Sequence, residues 1–128
     1  MKVGQIERKT QDRVVKFFQD DLEYEYLGNW EEREGNSNIE TELLTKYLKG
    51  KYDDSLIEGA IHHLEKISTN QNKSLYDINK KVYSLLRYGF AVKEKVSDKK
   101  QTIEFINWRK PLKNDFYIAE EVTLAGQH

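Results

Sequence analysis

Few side chains in this sequence have the means to do chemistry. His62 and His63 are adjacent, so on a helix they point about 100° apart and do not form the i, i+4 pair that grips zinc. They read as surface or half-buried histidines. Serine, histidine and aspartate all occur, but no GxSxG elbow positions a nucleophile and no GxxxxGK[ST] loop cradles a phosphate. Glu120 is more informative. In DFYIAEEVTL, strict alternation places it on the face of Phe116, Ile118, Val122 and Leu124. A carboxylate there must be paired, serve a metal, or escape to water at a strand edge or bulge, and the escape to water is the expectation. Glu7 poses the same choice on a helix, where it shares a face with Gln11, Val14 and Phe18.

The remaining candidates are charges. The net charge of −1 conceals an asymmetry. Residues 20–42 carry nine acidic side chains against Arg33 alone, a block suited to docking a partner protein. Residues 90–114 reverse the sign, with Lys93, Lys95, Lys99, Lys100, Arg109, Lys110 and Lys113 against Glu94, Asp98 and Glu104. A basic stretch of this kind can follow a phosphate backbone, gaining affinity by counterion release. Solvated lysines on a hairpin are the plainer account.

The elements that must position these groups follow from periodicity. Ile6, Val14, Phe17 and Phe18 predict a first helix over about residues 5–20. LEYEYLG alternates Leu22, Tyr24 and Tyr26 against Glu23 and Glu25, a half-buried strand that Gly28 ends. Ser37 and Glu40 have capping-box spacing, which predicts a second helix opening there with Ile39, Leu43, Leu44, Tyr47 and Leu48 inward, closed by Gly50. A third helix begins near Asp54 or Ser55 and buries Leu56, Ile57, Ala60, Ile61, Leu64 and Ile67. Ser74 caps a fourth with Leu75, Ile78, Val82, Leu85 and Leu86 inward, and Gly89 stops it. From Phe90 the period becomes two. FAVKEKV and TIEFINW, joined by SDKK, form a hairpin, and Pro111 marks the loop before the last strand. The expectation is one mixed α+β domain of several helices followed by a hairpin and a C-terminal strand.

Composition sets the outer limits. With 128 residues there is enough chain for one ordinary core, and 38% hydrophobic residues are enough to fill it. No cysteine is present, which removes disulfides and Cys-ligated zinc and makes a reducing cytoplasm the expected compartment. No window approaches the roughly 18 apolar residues of a membrane span.

The stretches IERKTQDRVVKFF, YEYLGNWEEREGNSNIETELL, LIEGAIHHL, LYDINKKVYSLLRYG and INWRKPLKNDFYIAEEVTLAGQH closely resemble, in order, the beginning of the restriction (R) subunit of type I restriction-modification enzymes. YLGNW, LLRYG and NDFYIAEEVT are the most distinctive blocks. The resemblance implies a restriction-endonuclease-like fold and an ATP-dependent type I site-specific deoxyribonuclease. In that family the strand matching Asp115–Leu124 is followed by runs resembling KRPDIVLYVNG and ELK, which supply the Asp, Glu and Lys of a PD-(D/E)xK nuclease. This chain stops before them.

Several expectations follow from the resemblance. The chain is the N-terminal portion of an endonuclease domain, inactive alone and without the family's motor. The intact enzyme uses Mg²⁺ and ATP, none bound by this portion, and its partners are double-stranded DNA and the methylation and specificity subunits, not a membrane. Many nucleases of this fold use a glutamate on the first core helix as an accessory metal ligand or orienting group. Glu7 is the candidate, with Glu42 as the alternative, and Lys93, Lys95, Lys99 and Lys100 are the candidate DNA contacts. Two other readings stay open from the residues: a non-catalytic module binding nucleic acid or protein, and a self-contained helical interaction protein.

Overall fold

The computed structural model describes residues 3–93 and 100–123. The chain is of mixed α+β class and forms two compact units, Met1–Ser37 with Asp115–His128, and Asn38–Asn114. The second is contiguous in sequence, whereas the first joins the two ends of the chain.

In the first unit, helix α1 (Val3–Asp20) precedes strand β1 (Glu25–Asn29), which pairs in parallel with β4 (Tyr117–Glu120). The register runs Glu25 to Tyr117, Tyr26 to Ile118, then skips Leu27 so that Gly28 faces Ala119 and Asn29 faces Glu120. Gly28 sits at φ +104°, a conformation glycine adopts without the Cβ penalty, and this permits the irregularity. The predicted strand from Leu22 starts three residues later, because α1 runs on through backbone hydrogen bonds from Asp21 and Tyr24 to Phe17 and Phe18, and Glu23 turns at φ 59°. Edge-to-face packing of Phe18 on Tyr24 (4.9 Å) and a tilted contact of Tyr24 with Phe116 (5.0 Å) tie helix and strands together.

The inward stripe of α1 differs from the predicted one. Val15 is buried and Phe18 half-buried, while Ile6, Val14 and Phe17 are about half exposed. Gln11 and Arg8 continue the Val15 stripe one and two turns back, and their polar ends meet Glu120. The helix thus presents polar residues where a purely hydrophobic periodicity predicted apolar ones, because the opposite strand buries a charge.

The second unit packs α2 (Thr41–Leu48), α3 (Asp54–Ser68) and α4 (Leu75–Tyr88) with an antiparallel pair, β2 (Phe90–Lys93) and β3 (Lys100–Ile103). Its core is Leu48, Leu56, Ile57, Ala60, Ile61, Leu64, Ile103 and Phe105. The buried face of α3 is the predicted one, apart from Ile67 being only half-buried. Ser74 caps α4 by accepting a hydrogen bond from the Asp77 amide at 3.2 Å. Leu75, predicted inward, is 73% exposed in the first turn, and Val82, Leu85 and Leu86 carry the packing instead. Gly89 sits at φ +85°, where an added Cβ would lie 2.7 Å from the Ile103 carbonyl oxygen, so both backbone angle and close approach require glycine. The hairpin forms with Phe90 opposite Ile103, but β3 ends at Ile103 instead of running to Trp108, and the turn at 94–99 lies outside the described residues.

The helix predicted to open at Ser37 starts later, at Thr41, with Glu40 at the N-cap position and no side-chain cap hydrogen bond from it. Asn36, just before Ser37, is fully buried and hydrogen-bonded through both its side-chain oxygen and nitrogen, which holds the chain on a non-helical path there. The loop after β3 is braced similarly by Asn114, whose side chain accepts from the Asn107 amide (2.7 Å) and the Tyr47 hydroxyl (2.9 Å) and donates to the Asn107 carbonyl (2.9 Å). Pro111 starts a short 3-10 turn there, a position that needs no amide proton.

Candidate functional site

The concentration of buried polar chemistry lies in the first unit, around the end of β4. Glu120 is 7% exposed, contrary to the expected escape to water. Strand pairing explains this. The Trp30 amide donates to the Glu120 carbonyl at 2.8 Å, so β4 is paired through its last residue and its alternation is kept there. The carboxylate Oε2 accepts from Gln11 Nε2 at 3.1 Å and lies 3.5 Å from Arg8 Nη1. Arg8 Nε is 3.4 Å from Asp12 Oδ1. Gln11 and Arg8 are three residues apart on α1, so both reach the same strand face.

Tyr26 completes the group from β1. Its phenol is pushed above the ordinary tyrosine value by loss of surrounding water, then by the Glu120 charge and hydrogen bonding to that carboxylate. Glu120 is thus held by the Gln11 amide and the Arg8 guanidinium from α1, with the Tyr26 phenol of β1 near its charge.

Next to it, the segment after β1 forms a closed loop. Asn36 Oδ1 accepts from Arg33 Nη1 at 2.8 Å, while its Nδ2 donates to the carbonyls of Thr123 (3.1 Å), Arg33 (3.3 Å) and, longer, Trp30 (3.5 Å). The Arg33 guanidinium lies 3.7 Å above the Trp30 ring. Trp30 Nε1 donates to the Leu27 carbonyl at 3.2 Å. The distinctive blocks YLGNW and NDFYIAEEVT are thereby brought together, as parallel strands and as a loop sealed onto the residues following β4.

The predicted residues are distributed as follows. Glu7 lies on α1, exposed, one residue before Arg8. Glu42 is exposed in the first turn of α2, in the other unit. Lys93 and Lys100 face each other in the hairpin register, whereas Lys95 and Lys99 lie outside the described residues. His62 is exposed, and His63 stacks on Phe90 with ring centres 4.2 Å apart, a packing role. In the acidic block, Glu31, Glu32 and Glu34 are all exposed. Arg8, Tyr26, Arg33 and Asn36 were not anticipated. Their signal is tertiary, although the polar interruptions Arg8 and Gln11 on the Val15 stripe mark the face that must meet a charge.

The donor set does not fit Mg²⁺ by itself. Mg²⁺ asks for six oxygen ligands, but Glu120 already faces a guanidinium and Asp12 pairs with the same arginine. Among the described residues no group of three or more His, Asp or Glu is placed to hold a metal ion. Among the same residues, no helix is long and apolar enough to cross a membrane.

Residues 4–128 match the family model of the type I restriction enzyme R protein N terminus. The match spans essentially the whole chain, and the protein belongs to that family, a component of restriction systems. Searches of curated proteins and of solved structures return no match.

Proposed function

We propose that this chain is the front portion of the endonuclease domain of a type I restriction R subunit. It supplies the scaffold from which the catalytic hairpin continues, together with contacts to DNA or to the other subunits. The observation that supports this reading most directly is the parallel pairing of β1 with β4. It joins two of the three most distinctive blocks of the family resemblance in one small sheet, at the strand after which that resemblance sets the Asp, Glu and Lys of a PD-(D/E)xK site.

The chemistry of such a site requires carboxylates that hold Mg²⁺ and a lysine near the attacking water to offset charge developing on the phosphate. Arg8 and Gln11 contribute to it by fixing β4 against α1, and the exposed Glu7 is the candidate on α1 for an incoming ligand set. Lys93, Lys95, Lys99 and Lys100 are proposed to meet DNA phosphates. ATP is left to the motor of the intact subunit.

The test is cleavage of a plasmid bearing the recognition site, with Mg²⁺ and ATP. The assembled enzyme, with methylation and specificity subunits, is expected to cut, and the purified 128-residue chain is not. Glu7→Ala in the assembly should lower cleavage about 10- to 100-fold while ATP hydrolysis persists, as expected for a group that orients a metal site. Specific, metal-dependent cutting by the chain alone would overturn the reading.

A further inference from the structure

Helix α4 carries a second, unassigned surface in the other unit. Tyr76, Lys80, Tyr83 and Arg87 recur at i, i+4, i+7 and i+11, one face of the helix. That face is open, with Tyr76 74% and Tyr83 61% exposed. Neither ring stacks on another aromatic among the described residues. Beside it lies a cleft of about 640 Å³, whose lining includes Lys73, Lys80, Lys81, Asp77, Ser84 and Tyr88. Tyr88 is 71% exposed. The Arg87 guanidinium stands 5.5 Å from the Tyr88 ring and 5.3 Å from that of Trp108, which is itself anchored by its indole nitrogen donating to the Leu86 carbonyl at 2.9 Å.

Three lysines thus share one cleft with a single carboxylate, Asp77. The neighbouring Lys73 charge holds the Lys81 ammonium below the ordinary lysine value. Ammonium groups that line one cleft gain most from an anion between them. The exposed rings narrow the choice of anion. A duplex offers phosphates but keeps its bases stacked inside, whereas an unpaired strand offers both phosphates and ring faces to tyrosine.

We infer that α4 and its cleft bind single-stranded nucleic acid, with Lys73, Lys80 and Lys81 on phosphates and Tyr76, Tyr83 and Tyr88 against bases. The inference uses none of Lys93, Lys95, Lys99 and Lys100 and does not depend on the nuclease reading.

Fluorescence anisotropy with the 128-residue chain tests it, using a labelled oligothymidylate and a duplex of equal length. The single strand should bind about tenfold tighter. With three phosphates neutralised, its affinity should fall about 20-fold between roughly 50 and 200 mM salt. Lys73→Gln with Lys81→Gln should weaken both ligands. Tyr76→Ala, Tyr83→Ala and Tyr88→Ala combined should weaken the single strand about tenfold or more and leave the duplex unchanged, while the Phe equivalents retain binding. Circular dichroism melting checks that each variant is folded. Equal affinity for duplex and single strand would overturn the inference. So would binding lost only when the four hairpin lysines become Gln, or binding fully displaced by millimolar inorganic phosphate.

Discussion

The two units are held together by different physics. Among the described residues, the second unit contains eight of the nine buried hydrophobic side chains, and the first contains Val15 alone. The first unit instead contains both buried polar residues, Asn36 and Glu120, with their partners supplied by the chain itself. Burial of apolar side chains stabilises without direction and tolerates small shifts. A buried carboxylate or amide is stable only when each partner is in place, so it specifies register more than it adds stability. The stable scaffold and the precisely placed polar group are thus in different parts of the chain.

Each unit contains one of the two tryptophans, Trp30 in the first and Trp108 in the second, which makes the contrast measurable. The largest expected effect is Ile57→Ala in the second core, where the side chain is 1% exposed. It should cost about 2–5 kcal/mol, read as a lower unfolding midpoint of Trp108 fluorescence in a Trp30→Phe background. A change below about 1 kcal/mol would mean that this core is not the principal source of the unit's stability.

A smaller loss is expected from Glu120→Ala, which leaves Gln11 without its acceptor and Arg8 without its counter-charge. About 1–3 kcal/mol is the range for a broken buried hydrogen-bond set, and the lower end applies because Arg8 is half exposed and regains water. Glu120→Gln, which keeps an acceptor, should recover part of it. Trp30 fluorescence in a Trp108→Phe background is the reporter. If Gln and Ala behave alike, the contacts to Glu120 do not stabilise the unit.

The smallest effect is a pH dependence. The Tyr26 phenol has a raised folded-state pKa, so the folded state holds this proton more tightly than the unfolded chain. Its contribution is fully present below the ordinary tyrosine value near 10 and is lost as pH rises through the higher folded value. Tyr26→Phe should lower the Trp30 transition slightly at neutral pH, where the contribution is full, and flatten its decline at alkaline pH. An unchanged alkaline slope would remove Tyr26 from the Glu120 group.

The second unit was largely legible in the sequence. The inward face of α3, the Ser74 cap, the stop at Gly89 and the pairing of FAV with QTI are decided by residues at most about a dozen positions apart, so periodicity and cap chemistry suffice to find them. At the boundary between the units the local signal of Ser37 and Glu40 placed the start of α2 too early, because Asn36 is held by the carbonyl of Thr123, 87 residues away. Family membership was also legible, since it rests on the order of whole blocks. What only the tertiary structure decided is the first unit. Whether Glu120 meets water or Gln11 depends on a contact spanning 109 residues, and which stripe of α1 turns inward depends on that carboxylate. Alternation in β4 assigns Glu120 to a face but does not state what covers it. Helix α1, set against β4 once β4 pairs with Glu25–Asn29, supplies the answer through Gln11 and Arg8.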